Sequence, residues 1–136
     1  NNSSARPLPV FLKIAPDISF SQADEIVELA LETRLSGLIV SNTTISRDGL
    51  KTNVNQVASI GMGGLSGRPL MAISTQLLAH ISSRCKPNLV LIASGGIMSA
   101  EDAREKFKAG ADLVQLYTGF VYRGPSLIRE INELIH

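Results

Sequence analysis

The chain has no tryptophan, and aromatic residues make up only 4% of its 136 positions. Its formal net charge is +1. Without stacking platforms or a basic field there is no case for nucleic acid as a partner. The single cysteine, Cys85, forbids an internal disulfide and fits a reducing compartment. Two histidines, His80 and His136, stand without cysteine or carboxylate partners at ligand spacing, so there is no case for a metal. Apolar runs such as Leu89–Ala93 are far too short to span a bilayer. No signal-peptide pattern opens the sequence. What remains is 44% hydrophobic and 18% charged, the balance of a globular domain with a core.

Strand-like and helix-like segments alternate, which predicts a parallel α/β sheet. Asn1–Pro9 reads as a polar lead-in. Val10–Ile14 is a buried-type strand stopped by Pro16. Ser19 or Ser21 can cap the next helix, where Ala23, Ile26, Val27, Ala30 and Leu31 recur at helical spacing. Leu38–Val40 is the second strand and runs into the polar cluster Ser41–Thr44. Gly49–Gly67 is a long loop, and long loops in compact domains are usually functional. Pro69 opens a helix with an apolar stripe at Leu70, Ile73, Leu77, Leu78 and Ile81. Leu89–Ala93 is the third strand. Ser99 and Asp102 have the form of a capping box before the helix Ala103–Ala109, and Gly110 suits its end. Asp112–Tyr117 is the fourth strand, and Gly124-Pro125 opens a closing helix that includes Leu127–His136.

Two of these strands end in small hydrogen-bonding residues: Gly95-Gly96 after Ser94, and Tyr117-Thr118 after Leu116. Backbone N–H groups exposed there, beside a helix start, make a site for a dianionic phosphate. In a (β/α)8 barrel that site usually follows the seventh and eighth strands. Lys13, in a strand of Val, Phe, Leu and Ile, is costly to bury unpaired, so an electron-rich group is expected over it. A complete barrel needs about 250 residues. Four βα units are half of one, and the other half is expected upstream. Asn42 and Thr43 suit either a polar ligand or a local Asx-turn.

The segments FLKIAPD, GLIVSNTT, GGLSGRPL, SGGIMSAEDAREKFKAGADLVQLYTG and GPSLIREINELI together resemble the carboxyl-terminal half of class 2 dihydroorotate dehydrogenase. The resemblance covers nearly the whole chain, in order and at close to the family's spacing. It implies the C-terminal half, four βα units, of a TIM (β/α)8 barrel, with residues 1–136 belonging to a single FMN-binding domain. The activity implied is oxidation of dihydroorotate to orotate with quinone as acceptor, in pyrimidine (UMP) biosynthesis. FMN contacts would come from Lys13, Ser41, Ser66, Gly67, Gly95, Gly96, Tyr117 and Thr118, with Lys13 supporting the reduced flavin. Asn42 and Thr43 would hold the substrate. The catalytic base of the family is a serine, expected upstream; none of these residues matches it. Ser94 departs from relatives that carry Val there.

The resemblance also implies membrane association through an amino-terminal segment outside this chain, at a mitochondrial inner or bacterial cytoplasmic membrane, and a monomeric full-length protein. The chain alone is expected to be inactive. Two rival readings stay open: another FMN- or phosphate-binding barrel sharing only the phosphate site, where a pure phosphate binder would need neither Lys13 nor Asn42-Thr43, and a non-catalytic half-barrel that binds a phosphate ligand or a partner chain. The remaining polar residues read as solvated surface: His80, His136, and the face formed by Glu101, Asp102, Arg104, Glu105, Lys106 and Lys108. Cys85, at a helix end, has no base partner.

Overall fold

The alternating pattern becomes a single four-stranded sheet in the computed structural model, which describes residues 8–135. The strands are β1 (Phe11–Ile14), β2 (Gly37–Val40), β3 (Val90–Ser94) and β4 (Leu113–Gln115), in that spatial order and all parallel. Sequential parallel strands with helical crossovers are the arrangement of a barrel wall, here four staves of it. The lead-in before Leu8 and the terminal His136 lie outside the described residues.

Register decides which side chains meet. Ile14, Val40, Ala93 and Val114 stand in one row across the sheet, and Leu38 pairs with Leu91 on the same face. Helices cover that face. It packs on α1 (Phe20–Glu32) and α3 (Met71–Cys85) through Ala23, Val27, Ala30, Leu77, Leu78 and Ile81, all buried. A second cluster joins Ile97 and Ala103 of α4 (Ala100–Lys108) and its approach to Leu127 and Ile131 of α6 (Pro125–Ile135). The opposite face carries Phe11, Lys13, Ile39, Ile92, Leu113 and Gln115. Leu113 is 55% exposed and Val90 38%. Gly37 lets strands and the Phe11 ring close up there, since a Cβ would collide with the Val90 carbonyl.

Local signals account for the helix ends. Ser19, rather than Ser21, caps α1 in a full capping box with Gln22. Ser99 accepts from the Asp102 N–H, but the Asp102 carboxylate reaches back to the Met98 N–H instead of to the cap residue. Gly110 follows α4 with φ 102°, a conformation that favours glycine. Two short helices lie where no periodicity announced them: α2 (Val54–Ile60) inside the glycine-rich loop, and α5 (Thr118–Arg123) directly after the fourth strand. Neither is long enough to show a repeating stripe, and α2 buries none of its residues.

Three polar residues expected on solvated surface are packed instead. Lys106 is fully buried between α4 and α3. Asp102 has a side chain only 13% exposed. His80 stacks on Phe20 with ring centroids 4.3 Å apart and meets Asp24 Oδ1 at 2.8 Å. In each case the partner lies on a distant part of the chain, so the helix's own pattern carries no trace of it.

Candidate functional site

A cavity of about 390 Å³ opens at the carboxyl ends of the strands. All ten residues singled out from the sequence line it: Lys13, Ser41, Asn42, Thr43, Ser66, Gly67, Gly95, Gly96, Tyr117 and Thr118. Strand ends supply most of them, because parallel strands all deliver their following loops to the same edge of the sheet.

On the β1 side, Lys13 is exposed rather than buried, at the unpartnered face of the sheet. Its Nζ donates to Gln115 Oε1 at 3.1 Å. The expected desolvation cost therefore does not arise. A flat sheet would hold β1 and β4 about 14 Å apart; curvature and two long side chains close that gap. Gln115 is a polar lining residue that motif reasoning missed, alongside the apolar Leu70, Ile97, Met98 and Leu116. Period-two alternation carries its signal, since Gln115 and Tyr117 share a face.

After β2 the chain turns through a cis Val40–Ser41 peptide. Ser41 is buried and its hydroxyl donates to the Asn42 carbonyl at 3.1 Å. The Asn42 N–H bonds the Ile14 carbonyl at 2.7 Å, fastening this segment to the end of β1. Asn42 and Thr43 remain exposed in the cavity. The Asn42 Oδ1 accepts from the Thr43 N–H at 2.9 Å, so the local turn forms and the amide still faces the cavity. The glycine-rich loop folds back over this segment. Thr44 and Leu65 exchange backbone hydrogen bonds of 3.1 and 2.8 Å, and Arg47 bonds the Gly63 carbonyl. Gly64 rests on Thr43, where a Cβ would strike its side chain.

The far end of the cavity is built from glycine turns. Gly67, Gly95 and Gly96 have φ values of 85°, 106° and 79°, which an L side chain rarely adopts. A 3-10 turn, Arg68–Leu70, starts at Gly67 without a side-chain cap and runs straight into α3. Thr118 Oγ1 and Ser66 Oγ lie 3.1 Å apart across it. Lys13 is the sole charged residue among those lining the cavity, and no carboxylate is among them. Hydroxyls, backbone at glycine and one ammonium suit an anion at one end and a polar, electron-accepting ring over Lys13. The residues present thus fit a flavin phosphate.

Asp102 and Cys85 show shifted titration away from the cavity lining. Burial pushes the Asp102 carboxyl up, but the Met98 N–H, the Ser99 hydroxyl and the Arg68 guanidinium outweigh it and hold it below the ordinary value. Burial pushes the Cys85 thiol up, against the pull of Lys86. A buried, protonated thiol packed in the core is inert.

The family model described as dihydroorotate dehydrogenase matches residues 2–136. A protein of Christiangramia forsetii named dihydroorotate dehydrogenase (quinone) is 50% identical over 136 residues, 99% of this chain and 38% of that protein. One of the same name from Brucella anthropi is 54% identical over 123 residues, 90% of this chain and 33% of the relative. The chain thus spans about a third of the length of these relatives. Among solved structures, Eimeria tenella DHODH in complex with ferulenol superposes with a TM-score of 0.85 at 39% identity, over 98% of this chain and 35% of that one. The ligand-free form from the same organism gives 0.84 at 42% identity, over 96% and 35%.

Proposed function

The chain belongs to the dihydroorotate dehydrogenase family, and on that premise we propose that its parent protein oxidises dihydroorotate to orotate, holding FMN in the cavity and passing electrons to a quinone. The supporting observation is the lining itself: one lysine, an Asn-Thr pair, three positive-φ glycines and paired hydroxyls, with no carboxylate. A site for a phosphate alone has no use for the paired donor and acceptor of Asn42.

Bound there, flavin would supply the hydride acceptor, which no side chain provides. Lys13 holds a positive charge at the ring end of the cavity, fixed before reaction and so available without reorganisation. Asn42 offers a donor and an acceptor, the complement of the adjacent N–H and C=O groups of a pyrimidine dione. Thr43, clamped beneath Gly64, adds a hydroxyl to that edge. Gly67, Gly95, Gly96, Tyr117 and Thr118 hold the phosphate, and Ser41 and Ser66 complete the polar wall. Removal of the proton at substrate C5 falls to a serine base outside these residues. Quinone access and membrane association, at a mitochondrial inner or bacterial cytoplasmic membrane, are likewise proposed for a segment outside them; among the described residues no helix is long and apolar enough to cross a membrane.

The test is anaerobic mixing of the purified full-length protein with dihydroorotate. Bound flavin should bleach and, on adding quinone, recover its colour as orotate accumulates. A protein that holds no flavin, or whose flavin ignores dihydroorotate, overturns the reading.

A further inference from the structure

We propose that Asp102 and Lys106, one helical turn apart on α4, are positioning residues that lock the Gly67 turn and the Gly95-Gly96 turn into one phosphate cradle from its buried side. The inference rests on the reading that the cavity takes FMN. Neither residue lines the cavity.

Asp102 joins the two turns directly. Its Oδ1 accepts from Arg68 at 2.7 Å, one residue beyond Gly67, and its Oδ2 accepts from the Met98 N–H at 2.9 Å, two residues beyond Gly96. Lys106 works one turn deeper. Its Nζ lies 2.5 Å from Ser74 Oγ and 3.4 Å from the Met71 carbonyl. Ser74 Oγ is 2.6 Å from the Leu70 carbonyl and 3.2 Å from that of Gly95. The glycines rest on the same atoms. A Cβ on Gly95 would stand 3.2 Å from Ser74 Oγ, and one on Gly96 would collide with the Met71 backbone.

An apolar residue would fill the Lys106 position at less desolvation cost. The ammonium does what an apolar residue cannot: it anchors the hydroxyl and carbonyl against which the glycine turn is seated. Burial lowers its pKa to about 8, with Asp102 opposing the shift, so it is still mostly charged at neutral pH. Cradle geometry is set by where Gly67, Gly95 and Gly96 stand relative to one another, and α4 contacts both sides. Removing either link lets the turns drift apart while the ring end, at Lys13 and Asn42, is untouched.

The test compares dissociation constants for FMN and for riboflavin, which has the same ring system and no phosphate, on full-length apoprotein. Lys106→Met and Asp102→Asn should weaken FMN about tenfold and leave riboflavin unchanged, as loss of one charge-assisted hydrogen bond would; Lys106→Arg should restore part of the loss. Gly67→Val serves as the control that removes the phosphate preference outright. If both clamp variants keep the wild-type ratio of the two constants while Gly67→Val collapses it, the pair is merely structural and the proposal fails, whatever happens to thermal stability. If wild-type protein does not prefer FMN, the functional reading fails first. Should Lys106→Met not fold, the nearly isosteric Asp102→Asn decides alone: a wild-type ratio there overturns the proposal.

Discussion

Lys13 carries its charge at an exposed position and shares its ammonium with a neutral amide, Gln115, rather than with a carboxylate. No carboxylate in the lining offsets that ammonium, so its field acts on whatever occupies the cavity. Lys13→Ala should therefore weaken flavin binding and slow flavin reduction by dihydroorotate. Reduction at wild-type rate in stopped-flow would remove Lys13 from its proposed role. Asn42→Ala should raise KM for dihydroorotate and lower kcat with flavin still bound, because a lost hydrogen-bond pair to a buried polar edge costs about 1–3 kcal/mol. Orotate affinity measured by fluorescence titration checks this, and no change would count against Asn42. Lys106 gives a pH dependence with a definite sign. Its folded pKa, about 8, lies below its ordinary 10.5. The folded state thus binds fewer protons than the unfolded one between those values, and stability rises with pH across that window. Below pH 8 the penalty of the buried charge is fully present. Melting curves should show Lys106→Met losing this rise relative to wild type. Asp102 acts in the opposite limb: held below its ordinary value, it stabilises above the usual carboxylate range and loses that contribution as the medium becomes more acid.

At the scale of elements, the two glycine turns are not equivalent. Gly67 meets only the Thr118 methyl, at 3.2 Å from an added Cβ, whereas Gly96 is pressed on the backbone of Met71. Gly67→Val should reduce flavin retention with the sheet and helices still folded, as circular dichroism would report. Gly96→Val should also loosen the start of α3 and lower the melting temperature, so loss of flavin there says less about the phosphate. The strands and long helices were legible from period and caps, since Ala23, Val27 and Ala30, or Leu77, Leu78 and Ile81, fall at helical spacing and are buried. Helices α2 and α5 were not, because seven and six residues are too few to show a repeating stripe. The pairing of Asp102 with Arg68, of Lys106 with Ser74 and of His80 with Asp24 was not legible either, because each partner lies 32 or more residues away along the chain.

At the scale of the whole molecule, one face of the sheet is covered by helices and the other is open at Leu113, Val90 and Lys13. Among the described residues both edges of the sheet, β1 and β4, pair with one strand only, and an apolar face with such edges asks for further strands. Expressed alone, residues 1–136 should give no dihydroorotate-dependent dye reduction even with added FMN. The serine base is expected outside this chain, and its absence costs roughly 10²–10⁴-fold; a cavity open to water also weakens the field of Lys13. Turnover by this chain comparable to that of the full-length protein would refute the assignment of the base to residues outside it.

Local chemistry settled what the sequence could determine by itself: parallel α/β order, the glycines after the third strand and before α3 that can take positive φ, and, through resemblance, ten of the residues that line the cavity. These depend on period, on backbone freedom and on motif order, all of which are written along the chain. Tertiary structure alone decided that Lys13 is exposed and meets Gln115 across the curved sheet, that the loop from Gly61 to Leu65 folds back on Thr43 and Thr44, and that Lys106 is buried behind the glycine turns. Those outcomes depend on which distant surfaces pack together, and a charge pattern read along one helix is the same whether its face meets water or a neighbouring hydroxyl.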